Sequence, residues 1–205
     1  MNDRAVSLNL SALACRRGGR LLFAQLDLDL RAGQSALITG PNGIGKSSLL
    51  RMIAGLLPPF AGAVTSEGTI ALTDEAAALD REQPLSKALG FWARLDGADM
   101  DRIKTVLGDL GIAHLADVPV RMLSTGQRKR AALARTLISG ADIWLLDEPA
   151  NGLDVASAKA LGALVDRHRA SGGIVLAASH LPLEWQHDHS FTLTAPDEDA
   201  GEVLP

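Results

Sequence analysis

The 205-residue chain has no tyrosine and one cysteine, and aromatic residues make up only 3% of it. A lone cysteine, Cys15, can close no internal disulfide and cannot build a cysteine zinc site, which suits a reducing compartment. Cys15 itself reads as an ordinary semi-buried residue. No apolar run reaches the roughly 18–20 residues needed to span a bilayer. The opening residues MNDRAVSLNL have neither the basic nor the apolar part of a secretion signal. A cytosolic chain is expected, unless another polypeptide holds it at a membrane. Positive charge is not in excess either: the net charge of −4 argues against nucleic acid as a main partner, because binding a phosphate backbone calls for a basic face. Internal repeats and low-complexity blocks are also missing.

What is present is enough apolar material, 47% of residues against 21% charged, to bury one core with room for a small subdomain. Residues 6–13 and 22–30 alternate apolar and polar side chains, the period of half-buried antiparallel strands. The pattern then changes. Residues 35–39 (SALIT) form a short apolar strand, GPNGIGKSS a glycine-rich turn, and SSLLRMIAGLL a helix that ends before Pro58 and Pro59. This is the strand, loop and helix unit of an α/β core. Residues 68–73 offer another strand, 84–140 read as mostly helical, and strands return at 143–146 and 174–178 around a helix at 155–169. The parallel core is thus expected to be interrupted by a helical insertion. The acidic tail, 195–205, is expected to be loosely ordered.

Gly40, Pro41, Asn42, Gly43, Ile44, Gly45, Lys46 and Ser47 match the G-x-x-x-x-G-K-[ST] phosphate loop in full, with Ser48 following, and a strand before and a helix after supply its context. Backbone N–H groups of such a loop wrap the β-phosphate, Lys46 would bridge the β- and γ-phosphates, and Ser47 would ligate Mg²⁺. The stretch IWLLDEP ends an apolar strand in two acids. Asp147 can hold the metal through water, and Glu148 can polarise an attacking water. A second anion-binding helix entrance lies at 123–135, LSTGQRKRAALAR, where Ser124 can cap and Gly126 permits close backbone approach. The run Arg128, Lys129, Arg130 reads as a solvated helix face, and Trp92, Trp144 and Trp185 read as core or interface residues.

The motifs GPNGIGKSS, LSTGQ, LLDEP, NGLD and AASH occur in the order and rough spacing of the ATP-binding subunits of ABC transporters, and the resemblance spans about residues 5–194. It implies a P-loop NTPase core of the ABC type, α/β, with an antiparallel β subdomain and the helical insertion at about 84–140, in a single domain over 1–194. It also implies ATP and Mg²⁺ as ligands and a head-to-tail homodimer. In such a dimer Ser124, Thr125, Gly126 and Gln127 would complete the nucleotide site of the opposite subunit. LSTGQ resembles the family signature LSGGQ, with Thr125 in place of the first glycine of the pair. Asp154, in NGLD, resembles the acidic member of the loop that crosses the dimer interface, and His180 resembles the switch histidine at the γ-phosphate. Two positions depart from the family pattern. Where an aromatic usually stacks on adenine this chain has ACRRGGR, so Arg16 or Arg17 is the candidate for stacking a guanidinium on the base. Where a glutamine is usual it offers Asp74 and Glu75, with Gln83 several residues late, and slow or partner-dependent hydrolysis is the expectation.

Within that family QPLSKALGFWARLDG and ASHLPLEW resemble the ATP-binding subunits of bacterial haem exporters in c-type cytochrome biogenesis. The resemblance implies a peripheral protein on the cytoplasmic face of the inner membrane, driving integral membrane subunits on separate chains, with no regulatory C-terminal domain. Neither direct haem binding nor nucleic-acid binding is expected. Two alternatives come from other classes: a soluble ABC-type remodelling ATPase, as in iron–sulfur assembly, and a scaffold that dimerises on ATP.

Overall fold

Two long strands, β1 (Ser7–Arg17) and β2 (Arg20–Arg31), form an antiparallel hairpin. Its two-residue turn needs positive φ at both positions, and Gly18 and Gly19 supply it at 55° and 80°. The computed structural model describes residues 5–73 and 79–195. β3 (Ser35–Thr39) leads through the glycine-rich loop into α1 (Lys46–Ile53), and β4 (Ala61–Glu67) then returns to pair antiparallel with β1. This completes a three-stranded sheet in the order β2-β1-β4.

The second sheet has five strands in the order β5-β6-β7-β3-β8, where β5 is Ile70–Thr73, β6 Ile143–Asp147, β7 Ile174–Ala178 and β8 His189–Thr192. Every neighbour pair in it is parallel. Between β5 and β6 the chain makes α2 (Leu85–Leu95), α3 (Asp101–Asp109), two short 3₁₀ turns and α4 (Thr125–Ile138). α5 (Val155–Ala170) crosses from β6 to β7.

A parallel sheet is covered on both faces, and its strands alternate their side chains between two apolar cores. Ile143 and Leu145 pack with Ile174, Leu176, Leu49 and the β1 leucines, whereas Trp144 and Leu146 pack with Val175, Ala177 and the residues of α2, α3 and α4. The register matters for function. Ile38 of β3 and Asp147 of β6 both pair with Ala178 of β7, so three strands finish along one edge. Ligands of open α/β sheets bind beyond such carboxyl ends.

Several expectations need correction. β4 and β8 have no clear sequence signal: AGAVTSE contains one β-branched apolar residue and HSFT is mostly polar, and each strand is recruited by the edge it pairs with. Cys15 is fully buried rather than semi-buried. Burial pushes its thiol up, while the charge of Arg17 and a hydrogen bond with Ser48 pull the other way. Asp74 and Glu75, and residues 196–205 of the acidic tail, lie outside the described residues. Gln83 accepts a backbone hydrogen bond from Val120, at 3.1 Å, in the helical layer.

Candidate functional site

The loop after β3 turns through three glycines with positive φ: Gly40 at 137°, Gly43 at 79° and Gly45 at 113°. Gly40 also has no room for a side chain, because a Cβ there would stand 2.8 Å from the carbonyl of Leu193. The first backbone bond of α1 runs from the Leu49 N–H to the Gly45 carbonyl, at 2.8 Å. No side chain caps this helix start and no acid sits in its first turn. The earlier N–H groups and the positive end of the helix dipole are thus left to an anion.

Lys46 is buried with its ammonium at the loop's centre, where Nζ donates to the carbonyls of Gly40 at 2.7 Å and Pro41 at 3.3 Å. Across the strand ends, Glu148 has φ of 47°, a backbone region uncommon for a residue with a side chain. Its N–H is held by the Ala178 carbonyl at 2.8 Å, and its own carbonyl accepts from Asn151 at 3.1 Å. This turn aims the carboxylate back over the sheet edge. Oε1 lies 3.9 Å from Lys46 Nζ, and Oε2 lies 2.8 Å from His180 Nδ1 and accepts the His180 N–H at 3.3 Å. With its proton on Nδ1, a neutral imidazole keeps Nε2 as an acceptor. Glu148 thereby joins the phosphate loop to the residue just beyond β7.

A depression of about 520 Å³ opens over this cluster. Asn42, Gly43, Gly45, Lys46, Ser47, Ser48, Asp147 and Glu148 line one end, and Arg17, Leu22 and Arg51 complete it. Arg51 and Leu22 were missed by sequence reasoning. Arg51 had a signal, since it follows Ser47 by four positions and so shares its helix face. Among the described residues no group of three or more His, Cys, Asp or Glu could hold a metal ion. The hydroxyl of Ser47 and the carboxylate of Asp147, both in this depression, are the hard oxygen donors that Mg²⁺ accepts beside phosphate oxygens. The donor set fits that ion.

The second group of candidate residues sits elsewhere in the chain. Ser124 is the N-cap of α4 in a reciprocal capping box: its Oγ accepts from the Gln127 N–H at 3.3 Å, and Gln127 Oε1 accepts from the Ser124 N–H at 2.8 Å. Gly126 faces the loop after β6, and a Cβ on it would lie 3.0 Å from the Gly152 carbonyl. Asp154 caps α5 through the Ser157 N–H at 2.8 Å. That bond, a further one with Ser157 and the charge of Arg130 hold its carboxyl below the usual carboxylate range. Ser124, Thr125, Gly126, Gln127 and Asp154 do not line the depression over the phosphate loop. One chain brings together Lys46, Glu148 and His180, and separately the start of α4 with residues 152–154.

Two residues of the run Arg128, Lys129, Arg130 do more than form the solvated face expected. Arg128 Nη1 donates to the Leu123 carbonyl at 3.0 Å, and the half-buried Arg130 donates to Ser157 Oγ at 3.1 Å. A larger depression, about 890 Å³, lies in the helical layer beside the exposed Phe91 and Met100, away from the strand ends where a phosphate would sit.

Residues 23–151 match the family model described as ABC transporter. The chain is 56% identical over 172 residues to the cytochrome c biogenesis ATP-binding export protein CcmA of Zymomonas mobilis, covering 84% of this chain and 77% of that one. To the protein of the same name from Sphingopyxis alaskensis it is 53% identical over 194 residues, 95% of each. Among solved structures, an ABC transporter ATP-binding protein from Pyrococcus furiosus superposes with a TM-score of 0.80 at 25% identity, over 91% of this chain and 97% of that one. An ATP-binding cassette of an ABC transporter in its ADP conformation shares the fold, with a TM-score of 0.71 at 22% identity over 92% and 87% of the two chains.

Proposed function

Since the chain belongs to the ABC transporter family, we propose that it is the ATP-hydrolysing subunit of a cytochrome c biogenesis exporter, moving or releasing haem through separate membrane subunits. The observation that carries the catalytic reading is the position of Glu148, held between the phosphate-loop lysine and His180. The exporter assignment rests on relatives that share more than half of their residues with this chain.

In this mechanism the triphosphate takes over the ammonium of Lys46 from the carbonyls of Gly40 and Pro41, and the loop N–H groups close on the β-phosphate. Ser47 and Asp147 would hold Mg²⁺, which supplies charge neutralisation for the phosphates when bound. Glu148 accepts a proton from water as the water oxygen bonds to the γ-phosphorus, and the bridging P–O bond breaks to leave ADP and phosphate. His180 keeps the carboxylate oriented through the 2.8 Å contact.

The separation within one chain of the phosphate-loop cluster from the α4 start supports a head-to-tail pair. In that pair Ser124, Thr125, Gly126, Gln127 and Asp154 reach the partner's nucleotide. The apolar depression beside Phe91 and Met100 is the seat proposed for the membrane subunit. In this assignment the protein works at the cytoplasmic face of the inner membrane.

The test is purification of the tagged chain from detergent-solubilised native membranes, with mass spectrometry and an ATPase assay on the eluate. Co-purification of a polytopic cytochrome-biogenesis subunit with vanadate-sensitive ATPase activity is expected. Recovery of soluble proteins alone would favour a remodelling ATPase and overturn the exporter assignment.

A further inference from the structure

Phosphate oxygens accept hydrogen bonds and donate none, so a hydroxyl that serves one must turn its hydrogen toward it. Ser48 carries such a hydroxyl. It sits in the first turn of α1 and lines the depression beside Lys46. Its own N–H comes before the first helical bond, which runs from Leu49 to Gly45. A serine on a helix has a competing choice, to return its hydrogen to a backbone carbonyl one turn back. What stands behind its oxygen decides between the two.

Behind Ser48 stands Cys15. The thiol is 1% exposed, lies in the apolar core with Phe23, Ile44 and Leu49, and shares a hydrogen bond with Ser48. The hairpin sets its place. Cys15 pairs with Phe23, whose ring packs so closely under the phosphate loop that a Cβ on Gly45 would stand 3.1 Å from it. The register slips on both sides of this pair, each time with one extra residue in β2, and at one slip Gln25 takes a φ of 54°. Such bulges re-aim side chains. The next residue, Arg16, instead stands 5.3 Å over the ring of Phe60. The hairpin thus presents a thiol to α1 at the position of Ser48.

We infer that Cys15 is a positioning residue of the phosphate site: its S–H donates to the Ser48 oxygen and so holds the Ser48 hydroxyl hydrogen toward the bound phosphates. The inference rests on the nucleotide-binding reading above. A thiol is only a weak donor, but this one is dry and has no competing water. The two bonds run in the same direction, S–H to oxygen and then O–H to phosphate, so each polarises the other. Cys15 itself touches no substrate and forms no covalent bond in this role.

The experiment is calorimetric titration of the full chain with AMP-PNP and Mg²⁺, beside steady-state ATPase kinetics. Cys15→Val fills nearly the same space without a donor and is expected to weaken AMP-PNP by about three- to tenfold, the worth of one hydrogen bond. KM should rise by a similar factor with kcat unchanged, because the contact is made alike before and during the reaction. Cys15→Ser supplies a hydroxyl in place of the thiol and should restore binding. Ser48→Ala removes the hydroxyl being held, and in that background Cys15→Val should have no further effect. A cysteine that only fills space would give the opposite pattern: no rescue by serine, and the same loss with or without the Ser48 hydroxyl. Either result, or unchanged affinity in Cys15→Val, overturns the inference. Urea midpoints check that each variant is folded, and Cys15→Ala carries the same expectations if valine impairs folding. AMP-PNP binding that survives Lys46→Ala would instead overturn the nucleotide-site reading itself, and the two failures are distinct.

Discussion

Arg130 of α4 donates to the hydroxyl of Ser157 in α5 at 3.1 Å, and the same Nη1 lies 3.9 Å from the Asp154 carboxylate. The second turn of α4 and the first turn of α5 are thereby joined inside one subunit, beside Asp154, which is proposed to reach a partner's nucleotide. Arg130→Ala is expected to lower the unfolding free energy by about 1–2 kcal/mol through loss of a charged hydrogen bond. It should also reduce maximal ATPase turnover by about tenfold while leaving nucleotide affinity in place, as expected for loss of an orienting contact. Urea denaturation and steady-state kinetics would check both. An equal loss of affinity would show that Arg130 does not act through the dimer elements.

Glu148→Gln keeps the shape of the side chain and removes its basicity. Turnover should fall by about 10²–10⁴, the range for loss of a general base, and ATP should then trap a dimer visible by size-exclusion chromatography. Unchanged turnover would remove Glu148 from the chemistry.

Gly126→Ala tests the close approach of α4 to the loop after β6. The added Cβ would stand 3.0 Å from a backbone carbonyl that cannot swing away as a side chain would. Turnover should drop by about tenfold or more, the scale on which a misplaced group impairs catalysis, with the phosphate loop still binding tripolyphosphate. Wild-type turnover would show that residues 151–154 yield freely.

A pH effect follows from His168, whose ring stacks on Trp144 at a centroid distance of 3.7 Å. Burial chiefly, with Arg102 adding, outweighs the hydrogen bonds to Asp142 and Ile174 and lowers its folded pKa from 6.5. His187 shifts the same way, through burial and then Arg169. A group with a lower pKa when folded binds more protons unfolded, so its contribution is complete above 6.5 and is lost as pH falls through the folded pKa. The urea midpoint should therefore be lower at pH 5.5 than at 7.5, with the difference reduced in His168→Gln. A midpoint that rises on acidification would contradict this sign.

Phe91→Asp places a charge at the exposed apolar surface of α2. Recovery of the membrane partner should fall severalfold, as when an apolar anchor at an interface is replaced, while nucleotide binding persists. Retained co-purification would move the docking face elsewhere.

The phosphate loop and the strand ending in Asp147 could be read directly, because glycine spacing and an unbroken apolar run are local signals. β4 and β8 could not: their residues are weak strand formers, held in place by partners far along the chain. The positive φ of Glu148 and the tie from Arg130 to Ser157 were likewise invisible, since both arise from tertiary packing against β7 and α5. The contact of Arg16 with Phe60 was likewise invisible, since Phe60 lies far enough along the sequence that no local pattern points to it.

The alternation of β6 between two apolar cores has a consequence for inheritance. Adjacent codons on this strand answer to different neighbourhoods: Leu145 is constrained by the layer under α1, and Leu146 by the helical layer. Truncating either to alanine would cost about 2–5 kcal/mol. Compensating substitutions for the two would nevertheless arise in different parts of the chain. Tolerance along β6 should sort by odd and even position, with the substitutions that compensate each set confined to its own layer.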